Sequence, residues 1–239
     1  MQHGWSRNTP RREGRGGLWS RQPGVAVMPE GRPRIYLAGP EVFHAEARSL
    51  GARKVAICSA AGLDGVYPLD GVPDDEPEPT PRAGLAIFQH CLETMNACDA
   101  LIANLTPFRG PSMDVGTAVE MGYMRGLGRP VFAYSNTALP YIQRVTVALG
   151  GRLPRREDGT PVDPEDMAVE PFGLADNLMV DGCVADSGHG ARVVTRETQF
   201  VARWTDMTAF TEAVRRAAAV LLTPPCRERE PLDMGGERV

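Results

Sequence analysis

The chain has 239 residues, 42% of them hydrophobic and 23% charged, enough for one large domain with or without tails. A formal net charge of −4 gives no general signal for binding a polyanion, and the four histidines do not group with the five scattered cysteines into zinc-ligand spacing. An odd number of cysteines without CxxC pairs is expected of reduced thiols in a cytoplasmic protein, and the absence of an apolar run near 18 residues argues against a transmembrane helix.

Residues 1–32 are rich in Arg, Gly and Pro, lack periodicity and hold no secretory apolar core, so a disordered tail is expected there, with Met28 an alternative start. RIYLAG (34–39) is a short apolar, β-branched run closed by Gly39 and Pro40, the pattern of a buried strand. Residues 45–61 have the spacing of an amphipathic helix that stops at Gly62. GVYPLD (65–70) reads as a second strand broken by Pro68, followed by a Pro- and acid-rich loop over 71–84. A helix is expected over 86–98, a third strand over DALIANL (99–105), a helix rich in small residues over 115–128 and a fourth strand over 129–136. From 137 to about 200 the pattern is weak. A terminal helix is expected over 205–222, capped by Thr205 or Asp206, and a polar tail over 224–239.

Strands alternating with helices predict a doubly wound α/β sheet, over a domain spanning 33–223. Ligands in such sheets lie beyond the carboxyl ends of the strands. The loops after Gly39, Leu105 and Tyr134 fall on that edge. Neither GxGxxG after a strand nor GxxxxGK[ST] occurs, and no serine lies in GxSxG, so neither a phosphate cradle nor an esterase elbow is indicated.

The informative stretch is GPSMDVGTAVEMGY (110–123), with two carboxylates, Asp114 and Glu120, six residues apart. Asp114 follows a Gly-Pro loop and opens a helix, where a helix cap alone accounts for it. Glu120 can be a solvated helical glutamate. Its neighbours Val115, Ala118, Val119 and Met121 are apolar, and Gly116, Thr117 and Gly122 are small, so the helix reads as packed nearly all round and Glu120 as partly buried. A buried carboxylate needs partners or a chemical role. Spacing leaves both readings open.

IYLAGPEVF (35–43), DALIANL through FRGPSMDVGTAVEMGY, GRPVFAYSN and DNLM (176–179) occur in an order that resembles the nucleoside 2-deoxyribosyltransferase family over roughly residues 33–180. The resemblance implies a flavodoxin-like sheet of mostly parallel strands and a retaining, double-displacement transfer of 2-deoxyribose between nucleobases. It implies Glu120 as the nucleophile, Tyr36 as the tyrosine that orients it, Asp114 as the aspartate that exchanges a proton with the base, and Asn177 as the asparagine on the sugar 5′-hydroxyl, which relatives often take from a neighbouring subunit. Gly39, Phe43, Gly116 and Met179 fall on the substrate-contacting segments of the same motifs, and Asp70 ends YPLD (67–70), which is also similar to the family. The implied partners are 2′-deoxynucleosides, free nucleobases and further copies of the chain. No nucleic-acid polymer, membrane, metal or redox cofactor is implied. The chemistry is coherent: cleaving an N-glycosidic bond builds oxocarbenium character at C1′, which a carboxylate stabilises and traps, while a nearby acid protonates the departing base.

Two departures limit what carries over. Where many relatives have Asp or Asn eight residues before the aspartate matching Asp99, this chain has Cys91. A base-reading glutamine of one branch falls near Val72. The related deoxynucleoside monophosphate glycosidases have serines at the positions of Asp114 and Asn177, so nucleosides are expected over nucleotides. The competing expectations are an N-glycoside hydrolase of deoxynucleosides or deoxynucleotides, a non-catalytic nucleoside-binding domain, and an α/β protein whose DVGTAVEMG is only a packed helix.

Overall fold

The structure is a computed structural model that describes residues 31–71, 78–187 and 192–223. The two expected tails, apart from residues 31 and 32, and position 72 lie outside the described residues. Five parallel strands, β1 (Arg34–Ala38), β2 (Asp64–Val66), β3 (Ala100–Asn104), β4 (Val131–Ser135) and β5 (Val194–Thr195), form one sheet in the order β2-β1-β3-β4-β5. This is the doubly wound order whose winding reverses between β1 and β3.

Side-chain alternation explains the layering. Ile35, Leu37, Ala100, Ile102, Phe132 and Tyr134 face one layer, with α1 (Ala47–Ala60) and α6 (Thr208–Leu221) packed on it. Tyr36, Ala38, Leu101, Ala103, Val131 and Ala133 face the other, covered by α2 (Pro81–Asn96), α3 (Val115–Gly126) and α5 (Leu178–Ala185). β3 and β4 are buried at every position, which is why their sequences read as continuous apolar runs. Burying a side chain such as Phe210 contributes about 1.5–3 kcal/mol, so these two layers are the main favourable term in folding.

Most expected elements are present with ends trimmed by one to three residues. α2 is the exception, because Thr80 caps it through the Ala83 amide and the helix starts at Pro81, five residues before the expected 86, so residues 81–84 of the expected loop are helical. The second strand is shorter than expected, because Tyr67 to Gly71 turn rather than extend. Three pieces the sequence left unassigned are ordered: α4 (Tyr141–Ala148), α5 and β5. The terminal helix begins at Thr208 after Met207, with no side-chain cap on Met207; Asp206 instead accepts a hydrogen bond from the Thr208 amide at 2.7 Å, and Thr205 does not cap. The expectation that α3 is packed nearly all round is overturned. It buries Thr117, Met121 and Met124, whereas Val115 is 78% and Val119 58% exposed.

Candidate active site

α3 begins where the loop after β3 ends, and Asp114 makes the start. Its Oδ2 accepts hydrogen bonds from the Thr117 amide and the Thr117 hydroxyl, both at 2.9 Å. The cap therefore uses one carboxylate oxygen. Glu120 follows on the side of α3 that faces β1. There the Tyr36 hydroxyl donates to Glu120 Oε1 at 2.7 Å. Tyr36 has no exposed surface, and burial, followed by the Glu120 charge, pushes its phenol far above the ordinary range, so it stays a donor. Burial pushes the Glu120 carboxyl up to about 7; the Tyr36 hydrogen bond opposes this rise and the Asp114 charge adds to it. The Cys91 thiol completes the group, pushed up by burial and by Glu120 and lowered by a hydrogen bond with Tyr36. Three of the expected residues, Tyr36, Asp114 and Glu120, thus act on one another across β1 and α3. A carboxyl that titrates near neutrality beside a fixed donor suits a nucleophile or a proton carrier.

The loops at the carboxyl edge place the other expected residues. Gly39 has to be glycine: a Cβ there would stand 2.2 Å from Glu41 Oε2 and 2.9 Å from the Asn104 Cβ. A Cβ on Gly116 would stand 3.1 Å from Asp114 Oδ2, so this glycine leaves the capping carboxylate room. Phe43 stacks on Phe108 with centroids 5.5 Å apart at 11°, yet is 60% exposed. The Arg109 guanidinium lies over both rings, 5.2 Å from Phe43 and 4.5 Å from Phe108, and Trp204 meets Phe108 edge-on. Arg109 adopts φ 57°, a left-handed conformation that costs a non-glycine residue of order 1 kcal/mol. Asp70 has a plainer place: its Oδ2 accepts from the Tyr67 amide at 2.8 Å and closes the turn after β2.

Beneath these loops Glu41 and Lys54 form a buried ion pair, and Glu41 Oε1 also accepts from Asn104 Nδ2 at 2.7 Å and Tyr134 Oη at 2.8 Å. The sequence reading missed this pair. Its only signals were an acid inside LAGPEVF and a lysine beside the apolar stripe of α1. Phe108 and Arg109 stood inside a quoted motif, but nothing in the sequence marked Trp204 as their neighbour.

Asn177 and Met179 do not join the Tyr36–Glu120 pair within one chain. Asn177 caps α5 through Oδ1, and its Nδ2 donates to Glu170 Oε1 at 2.7 Å. Met179 is exposed, in a groove that also runs past Ala118, Met121 and Gly122 of α3. Neither residue hydrogen-bonds to Tyr36, Asp114 or Glu120 among the described residues. Among the same residues no group of three or more His, Cys, Asp or Glu could hold a metal ion, and no helix is long and apolar enough to cross a membrane.

With this geometry in place, comparison with known proteins gives consistent matches. The family model described as nucleoside 2-deoxyribosyltransferase matches residues 35–179. An uncharacterized protein of Schizosaccharomyces pombe is 34% identical over 172 residues, covering 68% of this chain and 82% of the relative. A 2-desoxiribosyltransferase from Leishmania mexicana is 28% identical with a TM-score of 0.49, covering 75% of this chain and 97% of that one. A 2-deoxyribosyltransferase from Bacillus psychrosaccharolyticus is 23% identical with a TM-score of 0.39, covering 48% of this chain and 81% of that one. The family model spans every segment that builds the Tyr36–Glu120 pair and runs on through Asn177 to Met179, so the chain belongs to the nucleoside 2-deoxyribosyltransferase family.

Proposed function

We propose that this protein transfers 2-deoxyribose from a 2′-deoxynucleoside to a second nucleobase, with retention, through a covalent bond between C1′ and Glu120. The observation that carries this reading is the 2.7 Å hydrogen bond from the buried Tyr36 hydroxyl to Glu120 Oε1. It holds one carboxylate oxygen and leaves Oε2 for C1′. In the first step a lone pair of Oε2 forms the C1′–O bond as the C1′–N bond breaks, and that electron pair leaves on the base nitrogen. The base takes up a proton, with Asp114 as the exchanging acid. In the second step a nitrogen lone pair of the incoming base attacks C1′, the proton of that base returns to Asp114, the glycosyl–glutamate bond breaks, and Glu120 regains its charge. Two displacements at one carbon give retention. Gly39, Phe43 and Gly116 line the approach, with Phe43 offering a face to the base, and Asp70 acts through the turn it closes.

Homo-oligomerisation belongs to the same proposal. α2 buries only Met95 and leaves Leu85, Ile87 and Phe88 exposed, on the same side of the sheet as the exposed Val115 and Val119 of α3. Apolar side chains so arranged are expected to meet another copy of the chain. Asn177, which has no bond to its own Glu120, is then available to a neighbour's site, with Met179 beside it.

The test is incubation of a deoxynucleoside with and without a second base, followed by product chromatography. A new deoxynucleoside that forms only with the second base, and not in Glu120→Ala, supports the reading. Equal release of free deoxyribose in both incubations, with no new nucleoside, means that water is the acceptor and the protein is a hydrolase.

A further inference from the structure

A second buried ion pair lies close to the start of α3. Arg144 on α4 and Asp176, just before α5, have side chains only 6% and 0% exposed and meet at 2.8 Å. Their remaining polar atoms have protein partners. Arg144 Nε donates to the Pro111 carbonyl at 2.7 Å, and its Nη1 to the carbonyls of Leu139 at 3.1 Å and Ala175 at 2.6 Å. Asp176 Oδ1 accepts from the Ser112 hydroxyl at 2.5 Å and the Asn177 amide at 2.8 Å, and Oδ2 from the Met113 amide at 3.0 Å. One guanidinium and one carboxylate therefore tie together the loop after β3, the loop after β4 and the segment that opens α5.

We propose that Arg144 and Asp176 are positioning residues: they set the place of Asp114 against Glu120 and, through the same carboxylate, the place of Asn177. The inference rests on the proposed function for the roles of those three residues. Pro111, Ser112 and Met113 are the last residues before Asp114, and each is held by this pair, so the loop takes its shape at that point from two side chains. The three carbonyls and the carboxylate are reached by a planar fork of donors, which a lysine ammonium does not reproduce. A buried ion pair is also a poor way to gain stability, since well-packed apolar residues commonly serve as well or better; fixing geometry is what such a pair does that they do not. Neither residue touches the reacting atoms in this account. Each acts through the loop it holds.

The groups facing Glu120 are Tyr36, Asp114 and Cys91; burial raises its carboxyl most, and the Asp114 charge adds to that rise. A clamp that fixes Asp114 should therefore be visible in the titration of Glu120, which a role confined to stability would not move. The experiment compares full-length wild type with Arg144→Lys and Ser112→Ala. It measures thermal unfolding, kcat and KM for base exchange, and the Glu120 midpoint by carboxyl carbon-13 NMR, with Glu120→Gln assigning the signal. In folded Arg144→Lys, kcat falls at least about tenfold, a displacement near 1 Å being able to cost about 100-fold. KM changes by less than about threefold, as expected when positioning and not ground-state binding is lost. The Glu120 midpoint drops below about 7 as Asp114 loosens. Unchanged kcat and midpoint in the folded variant overturn the proposal. If Arg144→Lys does not fold, Ser112→Ala decides, because it removes a single hydrogen bond to the clamp: smaller shifts in the same directions support the proposal, and none overturns it. If the wild type exchanges no bases, the transferase reading fails, while the titration still decides whether the clamp positions Asp114.

Discussion

At the scale of single residues, the chain places a glutamate where water reaches it poorly and then tunes it with two neighbours of opposite effect. Its carboxyl stands at about 7 against an ordinary 4.5. Between those values the folded chain keeps a proton that the unfolded chain has released, so stability falls as pH rises through that window, by of the order of 3 kcal/mol in all. Glu120→Gln removes the ionisation and keeps an acceptor for Tyr36. This variant is expected to be more stable than wild type above pH about 7, with the margin vanishing below about 4.5; urea unfolding at several pH values checks it. The neighbours give paired predictions for the acid limb of kcat/KM, on which Glu120 must lose its proton. Tyr36→Phe removes the hydrogen bond that favours the charged form and moves the limb to higher pH. Asp114→Asn removes the like charge while keeping a capping oxygen and moves it to lower pH. Spacing in the sequence left Asp114 and Glu120 open between a capped, packed helix and a catalytic pair, and the expected roles came from the family resemblance. The sequence did not show which carboxyl is raised, since that depends on burial in the fold, where Glu120 lies against a strand whose Tyr36 is 84 positions away and opposes the rise.

At the scale of elements, α3 is both a structural part and the carrier of the chemistry. Its start depends on Asp114, so Asp114→Ala should cost about 1 kcal/mol in thermal or denaturant unfolding, whereas Asp114→Asn should cost little. A loss of activity in the asparagine variant, with stability retained, separates the chemical role of this residue from its capping role. The sequence periods marked α1, α2, α3 and α6, because each carries an apolar stripe or a clear stop. They did not mark α4 and α5, which have only eight residues each, or β5, which has two. α5, LMVDGCVA, is apolar nearly all round and shows no stripe, and elements of this length are held by tertiary contacts more than by local preference. α3 misled in the opposite direction. Apolar neighbours around Glu120 implied burial on every side, but Val115 and Val119 face outward. A single sequence does not distinguish an apolar side chain that enters its own core from one left exposed on the helix surface.

At the scale of the whole molecule, the strand order brings the carboxyl ends of β1 and β3 side by side at the point where the winding reverses, and Tyr36 and α3 meet there. Strand–helix alternation in the sequence was sufficient to expect this architecture. If the exposed apolar side chains of α2 and α3 meet another copy, as proposed, charge placed among them should keep copies apart. Phe88→Glu with Val119→Glu is expected to lower the molar mass measured by light scattering, leave the fold intact by circular dichroism, and reduce base exchange if Asn177 serves a neighbour's site. Unchanged mass would mean that these helices meet nothing in solution. The central claim is the bond between Glu120 and the sugar. Its most direct test is acid quenching of the protein with a deoxynucleoside and no acceptor base, followed by peptide mass spectrometry. One 2-deoxyribosyl group on the peptide carrying Glu120, removed when a second base is added before the quench, is the result predicted. An unmodified Glu120 peptide during active exchange, or the sugar on another residue, would contradict it.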